Sequence, residues 1–139
     1  MNEHSFQMRL ASRYQGTENT VTDLAVEVLE DEQWKNFDLN IHSPGFVIFV
    51  YAVFTCQHLY LRTNAAERGL LMDHANGFIH MVTTEGWDLT RLHVRFDVKL
   101  VSGGASSDET DYIIGRMKQC PVSRNIRDIA EDKTELRFC

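Results

Sequence analysis

The stretch Gly45–Cys56, GFVIFVYAVFTC, decides the fold because it is the longest apolar run in the chain and suits either a strand or a helix. Its β-branched and aromatic residues favour a strand locally. Pro44 before it, the helix-favouring tail LRTNAAER after it and the stop signal at Gly69 favour a helix instead. We therefore predict one helix from Pro44 to about Gly69. Because this helix is apolar on all sides, we expect it at the centre of the fold.

Alternation of apolar and charged residues predicts the strands that surround this helix. It is strictest in LTRLHVRFDVKLV, residues 89–101, where every second residue from Leu92 to Leu100 is apolar. Weaker alternation and short apolar stretches predict further strands at FQMRLA (6–11), LAVEV (24–28), Phe37 to Leu39, GFIHMV (77–82) and TELRF (134–138). We expect these segments to form a sheet with one buried face and one face exposed to solvent.

A second helix is predicted after the loop SGGASSD. Ser106 and Glu109 form a capping box in front of DETDYIIGRMKQ, residues 108–119. Pro121 disfavours helical geometry at the residue before it and starts a new helical segment, SRNIRDIAE, residues 123–131. Two helices that cover the apolar face of the sheet predict a single domain over residues 1–139.

Composition narrows the function classes. The chain has 139 residues, 43% of them hydrophobic, and a formal net charge of −6, which argues against partners such as nucleic acid or an anionic membrane surface. The apolar run is too short to span a bilayer, and the N-terminus has no signal-peptide pattern. Three widely spaced cysteines, an odd number, predict reduced thiols in a cytoplasmic protein.

Two of these cysteines are candidates for chemistry. Cys120 precedes Pro121, so it is expected at a helix start, where the positive end of the helix dipole lowers a thiol pKa. The alternative is that Cys120 is only a small buried residue. Cys56 ends the apolar run, where burial disfavours a thiolate. As a pair they suit a redox couple, provided that the fold brings them within disulfide reach.

Other common active-site patterns are missing from the sequence. The six histidines include no HExxH pair, and we predict no metal site. His58 lies two residues from Cys56, so on a helix it points away and is a poor base for that thiol. The sequence contains no GxSxG elbow and no phosphate-binding loop.

Taken together, several segments resemble the OsmC/Ohr family of thiol-dependent hydroperoxide reductases. Pro44 opens a long apolar helix that bears Cys56 and ends in the segment Ala66–Leu70. The alternating hairpin Phe78–Leu100 follows, and then a helix leads into the C-P-x-S motif Cys120–Ser123 and a final strand. The resemblance covers nearly the whole chain, and its specificity lies in the combination of these segments.

The resemblance implies an α+β fold with strongly bent antiparallel sheets packed on a long central helix, in an intertwined homodimer with its active sites at the interface. Cys56 would be the peroxidatic thiol, which forms a sulfenic acid with an organic hydroperoxide, and Cys120 would be the resolving thiol. No bound cofactor is implied. An external dithiol, for example a protein-bound lipoyl group, would regenerate the thiols.

The chain departs from the family pattern beside the helix start. The family holds its thiolate with an arginine and with a glutamate just after the proline, but here Gly45 and Phe46 follow Pro44. Arg13 is the candidate arginine. The missing glutamate leaves two alternatives open: a weakened redox-sensing or small-molecule-binding protein, and a scaffold with inert cysteines. Four aromatic residues could line an apolar channel for the peroxide or simply belong to the core: Phe46, Phe49, Tyr51 and Phe54.

Overall fold

A computed structural model describes residues 2–139 as two helices on one face of a six-stranded sheet. The elements in chain order are β1 His4–Gln15, β2 Thr20–Glu30, β3 Gln33–Asn36, α1 Gly45–Glu67, β4 Met72–Thr83, β5 Leu89–Leu100, α2 Ser107–Lys118, the 3₁₀ turn Ser123–Asn125 and β6 Glu131–Phe138. The α+β class predicted from the sequence is confirmed.

The sheet has the strand order β3-β2-β1-β4-β5-β6. All neighbouring pairs are antiparallel except β5 and β6, which run parallel. The parallel pair arises because α2 and the turn after it carry the chain back to the start of β5 before β6 begins. The expected antiparallel arrangement therefore holds for every pair but the last.

The alternating pattern in β5 places its apolar residues against the helices. Val94, Phe96 and Val98 are fully buried, whereas the charged residues between them face outward. A glycine in β4 lets the sheet pack tightly there, because a Cβ on Gly77 would lie 2.5 Å from Cε1 of Phe96. The hydrophobic core thus sits between the inner face of the sheet and α1.

Helix α1 starts and stops where the sequence predicts. Pro44 is its N-cap residue, and Gly69 just beyond its end has a φ of +73°, a left-handed geometry that favours glycine. Its length and composition alone would also suit a membrane span, yet it packs on the sheet as a core helix does. Its buried residues all lie on one face: Val50, Val53, Phe54, Gln57, His58, Leu61, Asn64 and Ala65.

The opposite face of α1 is uncovered in the single chain. Ile48 is 36% exposed and Leu59 is 44% exposed, and both lie on this outward face. The expectation that α1 is buried on all sides is therefore wrong for one chain. An apolar helix face left in water is typical of a surface that another molecule covers.

Three other sequence predictions give one confirmed motif and two corrections. The capping box forms: Glu109 N donates to Ser106 Oγ at 3.1 Å, and Ser106 N donates to Glu109 Oε1 at 3.1 Å. The predicted helical segment at residues 123–131 is only a 3₁₀ turn of three residues, followed by irregular chain. The predicted strand through Phe37 and Leu39 ends earlier, at Asn36.

Candidate dithiol site

The fold brings the two candidate thiols close together. Cys56 lies at the middle of α1 and is half-buried, whereas Cys120 lies just after α2 and is fully buried. The Cys120 thiol lies near enough to raise the pKa of the Cys56 thiol, and neither cysteine is in a disulfide. Residues 64 positions apart in sequence thus meet because α2 packs along α1. Only Cys56 of the two is open to solvent.

A tight turn surrounds both sulfur atoms. Ser123 N donates to Cys120 Sγ at 3.4 Å, and Arg124 N donates to the Cys120 carbonyl at 2.9 Å. The backbone N–H groups of Val122 and Ser123 also face Cys56 and favour its thiolate. This turn, and not a helix start, is what Pro121 introduces. The predicted helix-dipole effect on Cys120 is therefore wrong.

Burial outweighs the stabilising amides at Cys56. Desolvation is the largest effect, and together with the neighbouring Cys120 thiol it raises the pKa of Cys56 to about 11. At pH 7 only roughly one such thiol in ten thousand is ionised. In the single chain, Cys56 is thus a neutral thiol that needs a further cation or donor to become a nucleophile.

Arg13 is not beside Cys56 in its own chain. Ser12 and Tyr14, its neighbours in β1, are buried on the face toward α1, whereas Arg13 is exposed on the other face. The signal was present in the sequence, because Met8 and Leu10 set the parity of the buried positions. Its assignment as thiolate partner stays a prediction, and only a second copy of the chain could bring it to the sulfur.

The first turn of α1 supplies no carboxylate of its own to orient such an arginine. No acidic residue lies in its first turn, and its N-cap residue Pro44 makes no side-chain hydrogen bond. The turn around Cys120 is instead tied to α1 by Gln57, whose Nε2 donates to Ser123 Oγ at 3.0 Å. Sequence reasoning missed Gln57, because only the packing of the turn shows its partner.

A second buried polar cluster lies on the other flank of α1. Tyr14 Oη and His58 Nε2 are 2.6 Å apart, and the His58 ring stacks on Phe96 with 5.5 Å between ring centroids. Burial, assisted by the charge of Arg62, lowers the pKa of His58 to about 3. His58 therefore stays neutral and points away from Cys56, as its spacing in the helix predicts.

The four aromatic residues proposed for a channel pack mainly against other aromatic rings. Phe54 is buried against Phe96, and Tyr51 packs against Phe37. Phe46 and Phe49 form a cluster with Phe6 and Trp87 at the start of α1. Within residues 2–139, no group of three or more His, Cys, Asp or Glu side chains is placed to hold a metal ion.

Comparison with solved structures identifies the architecture. An OsmC-like hydroperoxide resistance protein from Jannaschia sp. has a TM-score of 0.58 at 12% identity, with 90% of each chain covered. An OsmC-like protein from Mycoplasma pneumoniae has a TM-score of 0.54 at 9% identity, covering 93% of this chain and 94% of that one. The chain has the OsmC-like fold.

Another chain with this fold, an OsmC-like protein of unknown function from Vibrio cholerae, has a TM-score of 0.52 at 12% identity and covers 98% of this chain and 99% of that one. No family model matches the sequence, and no curated protein does. The OsmC-like fold is therefore established by structure, and the chemistry of this chain has to be argued from its own residues.

Proposed function

We propose that this protein reduces organic hydroperoxides with two cysteines, Cys56 as the peroxidatic thiol and Cys120 as the resolving thiol. The proximity of these two thiols, at the turn around Ser123, carries the proposal. Because Cys56 is half-buried and Cys120 fully buried, a peroxide reaches Cys56 first. The fold shared with a hydroperoxide resistance protein supports this assignment.

The reaction has two steps at the sulfur of Cys56. Its thiolate attacks the terminal peroxide oxygen, the O–O bond breaks, and the protonated alkoxide leaves as an alcohol, so that Cys56 becomes a sulfenic acid. The Cys120 thiolate then attacks the Cys56 sulfur and displaces hydroxide, which leaves as water once it is protonated. An external dithiol, for which a protein-bound lipoyl group is a candidate, reduces the disulfide and restores both thiols.

A homodimer completes this proposal. The outward face of α1 carries the exposed side chains of Ile48 and Leu59, which a second copy would cover through a two-fold contact. The same contact brings new groups near Cys56, which has no cation among residues 2–139 of its own chain acting on its pKa. Arg13 of the second copy is the predicted partner for the thiolate. The reducing cytoplasm is the compartment in which such thiols can be recycled.

Turnover of an organic hydroperoxide tests this function. Purified protein is expected to consume cumene hydroperoxide with dihydrolipoamide as the reductant. Cys56→Ser should abolish turnover, whereas Cys139→Ser should leave it unchanged because the exposed Cys139 lies at the far end of β6. Wild-type protein that consumes peroxide no faster than buffer with reductant would refute the proposal.

The second candidate function is a redox sensor that forms the same disulfide slowly. The raised pKa of Cys56 and the lack of an acidic residue in the first turn of α1 favour it. A sensor would form the Cys56–Cys120 disulfide at a rate no greater than that of a free thiol with the same peroxide. Comparison of the single-turnover rate with that of N-acetylcysteine separates the two functions.

A further inference from the structure

A buried amide beside the reactive cysteine has no role in the chemistry described so far. Gln57 is 1% exposed, and both ends of its amide are used. Its Nε2 donates to Ser123 Oγ at 3.0 Å, and its Oε1 accepts from Thr134 Oγ1 at 3.3 Å. Ser123 and Thr134 are also buried, so the three side chains connect α1, the turn around Cys120 and β6 in a dry environment.

The turn that carries Cys120 depends on this amide for its side-chain attachment to α1. The bonds from Arg124 N to the Cys120 carbonyl and from Asn125 Nδ2 to the Pro121 carbonyl, 2.9 Å and 2.7 Å long, stay within the turn. The bond from Gln57 crosses to it from α1. Ser123, which accepts that bond, also donates its backbone N–H to Cys120 Sγ.

We propose that Gln57 is a positioning residue for the second step: through Ser123 it holds the Cys120 sulfur at the distance and angle at which it can attack Cys56. A disulfide needs closely defined separations of the two cysteines, and misplacement of a reacting atom by about 1 Å can slow a reaction roughly 100-fold. The biological use of this role rests on the proposed peroxidase function. The thiol–disulfide equilibrium that it controls exists with or without peroxide turnover.

Exchange with glutathione measures the positioning directly. In this exchange, oxidised glutathione converts the two thiols into the Cys56–Cys120 disulfide and is itself reduced. Its equilibrium constant reports how well the folded chain aligns the two sulfur atoms. We expect Gln57→Leu to lower this constant by about tenfold or more, because the turn loses its attachment and leaves Ser123 Oγ without its donor.

Two further variants make the test specific. Ser123→Ala removes the other end of the same bond, so it should lower the constant similarly, and the double variant should be little worse than either single one. The matched control is Asn64→Leu, a second buried amide on α1, which bonds to the Tyr60 carbonyl and to Arg116 but not to the turn. It should lower stability and leave the exchange constant within about twofold.

Trapping of the sulfenic acid provides a kinetic readout. After one equivalent of hydroperoxide in the presence of dimedone, wild-type protein should close its disulfide first, whereas Gln57→Leu should accumulate labelled Cys56. Exchange constants for Gln57→Leu and Ser123→Ala that match wild type, in protein shown to be folded by circular dichroism, would overturn the inference. If Gln57→Leu does not fold, Ser123→Ala decides. A wild type that exchanges normally but consumes no peroxide would refute the function alone.

Discussion

Acidification to about pH 5 is predicted to destabilise the fold through His58. The imidazole is 3% exposed, stacks on Phe96 and accepts the hydroxyl of Tyr14 at 2.6 Å. Burial, and to a smaller extent the nearby charge of Arg62, lowers the pKa of His58 to about 3 from an ordinary 6.5. The folded protein therefore holds this ring neutral at a pH where the unfolded chain protonates it.

The sign and size of this loss of stability follow from the linkage between proton binding and folding. A depressed histidine pKa means that the unfolded state binds more protons between the two pKa values, so stability is complete above pH 6.5 and is lost as the pH falls toward 3. At pH 5, about 1.5 units below the unfolded pKa, the loss is about 2 kcal/mol. His80, whose pKa is also lowered by burial first and then by Arg91 and His93, adds a loss of the same sign.

Urea unfolding at several pH values between about 5 and 7.5 measures this loss. The pKa values of Glu131 and Glu135 are lowered, so these two carboxylates contribute little to the change in stability above pH 5. At pH 5 the wild-type protein takes up a proton at His58 when it unfolds. The variant His58→Gln keeps an acceptor for Tyr14 but cannot be protonated, so the number of protons taken up on unfolding should fall by about one. An equal pH slope in wild type and His58→Gln would refute the reasoning.

Three other substitutions have defined outcomes. Gly77→Ala should cost about 1–3 kcal/mol in urea unfolding because its Cβ would overlap the Phe96 ring at 2.5 Å. Ser106→Ala should cost about 1 kcal/mol through the lost capping box of α2, and Ser106→Asn should recover most of it. Leu59→Glu, on the outward face of α1, should convert the proposed dimer to monomer in light scattering; a wild type that is already monomeric, or a dimer that the substitution leaves intact, would contradict the proposed contact.

Local patterns predicted most of the elements. The capping box at Ser106 and Glu109 and the alternation in β5 depend on neighbours within a few residues, so the sequence contains the whole signal. Helix α1 was predicted despite its β-branched residues, because Pro44 and Gly69 mark its ends. Such features are set by backbone geometry and do not need knowledge of the tertiary packing.

The parts that failed depend on contacts distant in sequence. The pair Cys120–Pro121 suits a helix start as well as a tight turn. The turn is held by a hydrogen bond from Gln57 to Ser123, two residues that are 66 positions apart in sequence. The parallel pairing of β6 likewise follows from the path of the chain around α2, and the alternation of apolar residues within a strand does not indicate the direction of its partner. The outward position of Arg13 is different, since the alternation in β1 already indicates it, and the role of Arg13 as thiolate partner stays a prediction.

Peptide mapping after addition of one equivalent of cumene hydroperoxide to the reduced wild-type protein tests the central claim most directly. Because the Cys56 and Cys120 thiols lie close together within one chain, the account predicts an intrachain Cys56–Cys120 disulfide and an unmodified Cys139. In Cys120→Ser it predicts a sulfenic acid on Cys56 that dimedone captures. Oxidation that begins at Cys139, or a wild type in which Cys56 and Cys120 stay reduced, would contradict the account.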